Sequence, residues 1–184
     1  MGPGGKLAPG FHGCRPPYLP LGSRADVLVF QTEPLRAPTE VTGPIEVHLW
    51  VATSAVDTDF TAKLIDVYPP SAWYPQGYAL NLTDSIARLR YRNGRERAEL
   101  VRAGEPVQVT LTLYPTSNLF MPGHRMRLDV SSSNFPRFDV NPNTGEAIGR
   151  ERRRVVADNT VFHERGRASW VVLPVIPIEA RSPP

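Results

Sequence analysis

Three consecutive serines, Ser131, Ser132 and Ser133, follow a strand-like segment that opens on His124, and His163 lies downstream. With an aspartate, these are the residue types of a nucleophile, a base and an orienting carboxylate. A serine nucleophile on a strand-to-helix elbow needs Gly-x-Ser-x-Gly, because the tight turn leaves no room for neighbouring side chains. That spacing occurs nowhere in the chain, and the serines fall where a strand runs into a loop. The residues therefore predict no catalytic group.

The other candidate ligands are scattered. His48 falls in mid-strand, where a half-exposed sheet histidine is the ordinary case. His124, in Pro122-Gly-His-Arg125, is expected to cap a turn or bond to backbone. His163 stands in a loop beside Glu164, and His12 in the N-terminal lead. No histidine pair has metal-ligand spacing, and one cysteine, Cys14, cannot build a thiolate zinc site. Asp57 and Asp59 could hold calcium, but a turn-stabilising role is the expectation. No metal and no cofactor is predicted.

The costliest loop chemistry is at residues 131–145, Ser-Ser-Ser-Asn-Phe-Pro-Arg-Phe-Asp-Val-Asn-Pro-Asn-Thr-Gly. A polar, proline-punctuated loop with two phenylalanines more often carries function than framework. Asn134, Phe135, Arg137, Phe138, Asp139 and Asn141 are the candidate contact residues. Both aromatics plugging the end of the fold is the competing reading. A second loop, residues 69–83, carries Trp73, Tyr74 and Tyr78 on a proline-stiffened backbone, suited to a protein contact or to stacking on a sugar.

Composition narrows the rest. The chain has 184 residues, enough for one domain with a real core. Its 20 prolines and 14 glycines suit short strands joined by many turns. Residues 1–23 read as an extended Gly/Pro-rich connector, and 24–180 as the folded domain. Net charge is only +3, and Lys6 and Lys63 are the sole lysines. The one dense basic cluster, Arg150-Glu-Arg-Arg-Arg154, reads as a solvated face or an ion-paired interface. Neither nucleic acid nor a membrane is an expected partner. A single cysteine and the lack of an apolar N-terminal run lead to the expectation of a cytoplasmic chain without a signal peptide.

Alternation supplies the elements. Ile45, Val47, Leu49 and Val51 share one face of a strand over 43–52, with Glu46, His48 and Trp50 on the other. Further strands are expected at 26–30, 60–68, 86–92, 107–114, 125–130, 155–161 and 169–173. Mixed faces at 60–68 predict a strand covered on both sides. Residues 32–38 and 115–123 read as connectors. About eight short strands with no convincing helix predict an all-β sandwich. Strand number and long crossing loops fit a two-sheet jelly roll best, while alternation alone does not separate it from an immunoglobulin-like order.

The strands at 24–30, 42–51, 57–68 and 82–92, the Pro122-Gly-His-Arg125 turn, the loop at 131–145 and Leu173-Pro-Val-Ile-Pro177 follow one another in a specific order. In that order the chain resembles the C-terminal jelly-roll domain, galactose-binding-domain-like, of the serine hydrolases that include X-Pro dipeptidyl-peptidases, cocaine esterase and α-amino acid ester hydrolases. The resemblance covers about residues 14–177. It implies a non-catalytic domain that packs on an α/β-hydrolase catalytic domain, upstream or on a separate chain. It also implies walling of the substrate cleft and a possible part in homo-oligomer contacts. A free-standing carbohydrate- or protein-binding module is the alternative. Ser85 and Trp73 depart from the glycine and the acidic residue expected there.

Overall fold

The computed structural model describes residues 23–177. Cys14, His12, most of the proposed connector and the last three residues of the proposed domain lie outside the described residues.

Two antiparallel sheets pack face to face. The first has the order β1-β6-β3-β4, with β1 Leu28–Gln31, β3 Asp59–Tyr68, β4 Tyr78–Arg88 and β6 Arg125–Ser131. The second is built on the long β2, Thr39–Thr53. β5, Val107–Phe120, pairs along one edge of β2, while β7 (Asn159–Val161), β8 (Trp170–Val172) and β9 (Val175–Ile176) share its other edge. The all-β, two-sheet sandwich expected from the alternation is the observed class. Among the described residues no helix is long and apolar enough to cross a membrane.

The β2 residues assigned to one face, Ile45, Val47, Leu49 and Val51, all enter the core. They meet Val109, Leu111 and Leu113 of β5 and Phe60, Ala62 and Leu64 of β3. Period-two side chains on both sheets interdigitate in this way between aligned sheets. β3 is central in its sheet and buried on both faces through Asp66, as its mixed faces predicted.

The structure corrects several boundaries. β5 does not stop at Tyr114: it runs to Phe120, through part of the supposed connector at 115–123, and pairs with residues 39–43 of β2. The register shifts by one residue between Gly43 and Ile45, where Pro44 on one strand and Pro115 on the other interrupt the ladder. The bulge swaps the faces of the tail, so Phe120 is fully buried while Leu119 is exposed. β4 starts at Tyr78, so the aromatic loop is shorter than 69–83. Its expected continuation to Arg92 breaks at Arg88 into a 3-10 turn, Leu89–Tyr91. That turn inserts Leu89 into the core and rotates Arg90 inward. The expected strand at 155–161 forms only over its last three residues.

Candidate functional site

β3 carries charge on its outward face, and each charge has a buried partner. Asp57, just before the strand, accepts from the Arg90 backbone N–H at 2.9 Å and from Arg90 Nε at 2.8 Å. Arg88 donates two bonds to Asp59, at 2.8 and 3.0 Å, and those bonds hold its guanidinium above the ordinary arginine range. These carboxylates are occupied by guanidinium groups. Their role is to pair with these arginines across the face, beyond the turn stabilisation expected from sequence.

Further along, Lys63 Nζ donates to Asp84 at 3.3 Å and to Asn134 Oδ1 at 2.5 Å. Burial is the largest influence on Lys63 and pushes its ammonium below the ordinary lysine range, with Asp84 pulling the other way. The folded state therefore releases this proton more readily than the unfolded chain. Between the folded value and 10.5 the unfolded chain binds more protons, so this group makes stability rise with pH. Lys63→Met is expected to flatten that rise. Urea melts between about pH 8 and 10 test it, a window below the range where Tyr68, held above 10.0 chiefly by burial, acts in the opposite sense. An unchanged slope in the variant would show that another group sets it.

These charges clamp the loop that crosses the face. Asn134 is buried on Lys63. Asn141, also buried, donates through Nδ2 to both Asp57 and Asp59, at 2.9 and 2.8 Å. Its Oδ1 accepts from the Asn143 backbone N–H at 2.9 Å. Asn143 is left-handed at φ 64, and Gly145 follows at φ 71. A Cβ on Gly145 would stand 3.0 Å from Leu100 and Val56, so glycine is required for conformation and for space. Arg90 Nη1 closes the turn on the Glu146 carbonyl at 2.9 Å.

Between the two asparagine anchors the chain projects outward. Phe135 is 59% exposed and Asp139 is exposed. Arg137 pairs with buried Asp84 at 2.8 Å, and its guanidinium lies 5.2 Å from the Tyr114 ring centre and 5.7 Å from that of Phe138. Phe138 is half-buried, and neither phenylalanine belongs to the core cluster. The six candidate residues thus divide into two buried anchors and an exposed aromatic–cationic segment.

Trp73, Tyr74 and Tyr78 sit elsewhere. Tyr68 and Tyr78 pair at the β3–β4 hairpin end, while Asp59 pairs with Arg88 at the other end of the same ladder. Ten strand residues separate the Trp73 loop from the Asn141 clamp by about 30 Å. Trp73 is 89% exposed. The Tyr74 and Tyr78 rings are 4.7 Å apart and inclined by 35°.

The serine–histidine raw material is also separated. His124 is buried, with Nδ1 2.8 Å from Asp66 Oδ1 and its ring 4.2 Å from that of Tyr68. It was expected to bond to backbone, but this side-chain pair holds it. Ser131 lies at the far end of the seven-residue β6, about 20 Å away. Its hydroxyl bonds Thr61 Oγ1 at 2.7 Å, and Ser132 accepts from Asn159 at 2.6 Å. His48 stacks on Trp170 and His163 meets Phe30.

Sequence reasoning missed Arg88, Arg90, Lys63 and Asp84 as groups that fix the loop, and the Asp66–His124 pair at the other end of β3. The available signal was charge at Lys63 and Asp66 on a strand read as covered on both sides, since buried charges must be paired.

The fold and site thus define a β-sandwich that holds one loop rigidly through buried ion pairs, with its serines engaged in hydrogen bonds remote from His124. The pattern of the X-Pro dipeptidyl-peptidase C-terminal non-catalytic domain matches residues 16–172, and the chain belongs to that family. It is 46% identical over 159 residues to cocaine esterase from Rhodococcus sp. (strain MB1 Bresler), covering 85% of this chain and 27% of the esterase. It superposes on an α-amino acid ester hydrolase with a TM-score of 0.78 at 35% identity, over 84% of this chain and 26% of that one. An aminopeptidase from the marine sediment archaeon Thaumarchaeota archaeon gives the same TM-score and coverage at 32% identity. The chain spans about a quarter of the length of these relatives, all named as hydrolases.

Proposed function

We propose that this domain serves a serine hydrolase acting on acyl esters or X-Pro peptides, docking on its catalytic domain and forming one wall of the substrate cleft. The observation that carries this reading is the clamped loop. Burying two asparagines on three ion pairs to present Phe135, Arg137 and Asp139 in one fixed place suits a surface that must meet another with defined geometry. A rigid scaffold presenting a loop loses little entropy on docking. The exposed Trp73 loop is assigned to a protein contact, within the enzyme or between subunits.

The test is domain exchange. Cocaine esterase carrying this chain in place of its own matching domain is expected to hydrolyse p-nitrophenyl acetate, while the chain alone hydrolyses neither that ester nor an X-Pro anilide above buffer. An inactive, undocked hybrid with both parts folded would sink the reading. So would turnover by the chain alone that a serine-directed phosphonate abolishes.

The inclined tyrosines do not make a flat platform for a sugar ring. Titrating the chain with oligosaccharides is expected to leave its tryptophan fluorescence unchanged. A saturable shift lost in Trp73→Ala would instead support a carbohydrate-binding module.

A further inference from the structure

A concavity of about 1200 Å3 runs along the seam where β4 and β5, the edge strands of the two sheets, approach each other. Its lining includes six arginines and three carboxylates, Asp59, Asp139 and Glu151. One of those carboxylates, Asp59, is already bonded to Arg88. Arg152, Arg153 and Arg154 form a run of cationic side chains there, beside Phe135 and Phe138.

The backbone of β5 supplies a second, independent feature. Trp50 of β2 directs its N–H to Ser169 Oγ and its carbonyl to the Phe162 N–H, on the side away from β5. Trp50 lies opposite Gln108, so that pair is not hydrogen-bonded. The alternation of antiparallel ladders gives His48–Thr110 and Glu46–Thr112 the same character. The N–H and C=O groups of Thr110 and Thr112 therefore point away from β2. β5 pairs with no other strand among the described residues, and both threonines line the groove. One step along, the Tyr114 carbonyl accepts from Thr83 Oγ1 at 2.8 Å across the seam, consistent with that direction.

An open row of strand donors and acceptors beside a cationic run is the chemistry that receives an extended, acidic polypeptide by strand addition. The geometry points to this groove as a docking site for an extended acidic segment of a partner protein. Its main chain pairs with Thr110 and Thr112, and its carboxylates meet Arg152–Arg154.

The test is fluorescence anisotropy of the whole chain with labelled acetyl-Glu-Thr-Asp-Val-Glu-Thr-Asp. Saturable binding is expected, weakening about tenfold or more between roughly 50 and 300 mM salt and absent for the peptide with lysine at each acidic position. Methylating alternate peptide amides should weaken it about tenfold. Thr112→Pro should do the same, because it removes an outward N–H without breaking the β2 ladder. Arg152→Glu with Arg153→Glu and Arg154→Glu should abolish binding, while Arg97→Glu with Arg102→Glu and Arg165→Glu, outside the groove, should not. No binding overturns the proposal. Equal binding of the methylated peptide, with full competition by inorganic polyphosphate, overturns it in favour of a patch for any polyanion. Peptide-independent self-association by light scattering, lost in the groove variants, overturns it in favour of a second copy of this chain.

Discussion

Asp57→Ala lowers the melting temperature of the chain by about 10 °C. Asp57 is completely buried and accepts three hydrogen bonds, two from Arg90 and one from Asn141. Removing its carboxylate leaves the Arg90 guanidinium, almost as deeply buried, without its charge partner. Breaking one side of a buried pair costs about 3–5 kcal/mol, and each kcal/mol moves the midpoint of a domain this size by about 2–4 °C. Asp57→Asn keeps shape and one carbonyl acceptor, and should lose less. Differential scanning calorimetry of both variants decides it. A loss within 2 °C for Asp57→Ala, on the order of what an exposed pair contributes, would mean that the clamp holds through its other bonds.

Arg137→Ala, in cocaine esterase carrying this domain, lowers hydrolysis about tenfold or more, because a small misplacement of a cleft wall is costly to reaction geometry. It lowers the melting temperature of the chain itself by no more than about 3 °C. The Arg137 side chain is 51% exposed, so screening limits what its ion pair adds to stability. Asp84 would still have Lys63 and Asn81 within reach. Arg137 is read as a positioning residue, so the ranking of the two effects matters. A larger effect on melting than on turnover would assign the arginine to framework.

What was readable in the sequence follows from how local each signal is. The core face of β2 was legible because Ile45, Val47, Leu49 and Val51 alternate without interruption over a strand that pairs on both edges. The β5 tail was not legible, because Pro115 imitates a strand terminator and only pairing with Gly43 across the bulge shows that the strand resumes. Within the strand expected over 86–92, a period of two puts Arg90 on one face with Arg88 and Arg92. A 3-10 turn overrode that period, because Leu89 gains the core and Arg90 gains Asp57. The loop at 131–145 was recognisable from its chemistry. Its division into anchors and presented groups was hidden, since the partners of Asn134 and Asn141 lie 71, 84 and 82 residues away in sequence.

The one-residue shift opposite Gly43 makes the number of residues, as much as their identity, part of this fold's specification. Thr116, Asn118 and Phe120 share the core face with Val109, Leu111 and Leu113 only because the strand carries one surplus residue between the two sets. Asn118 reaches Asp66 at 3.2 Å from that face, and Asp66 in turn holds His124. Inheritance by this domain is therefore unequal along its length. Substitutions at Tyr114 or Ser117, both exposed, can accumulate. A codon gained or lost between them would turn the far half of β5 inside out, exposing Phe120 and taking Asn118 away from the polar cluster at the sandwich's end.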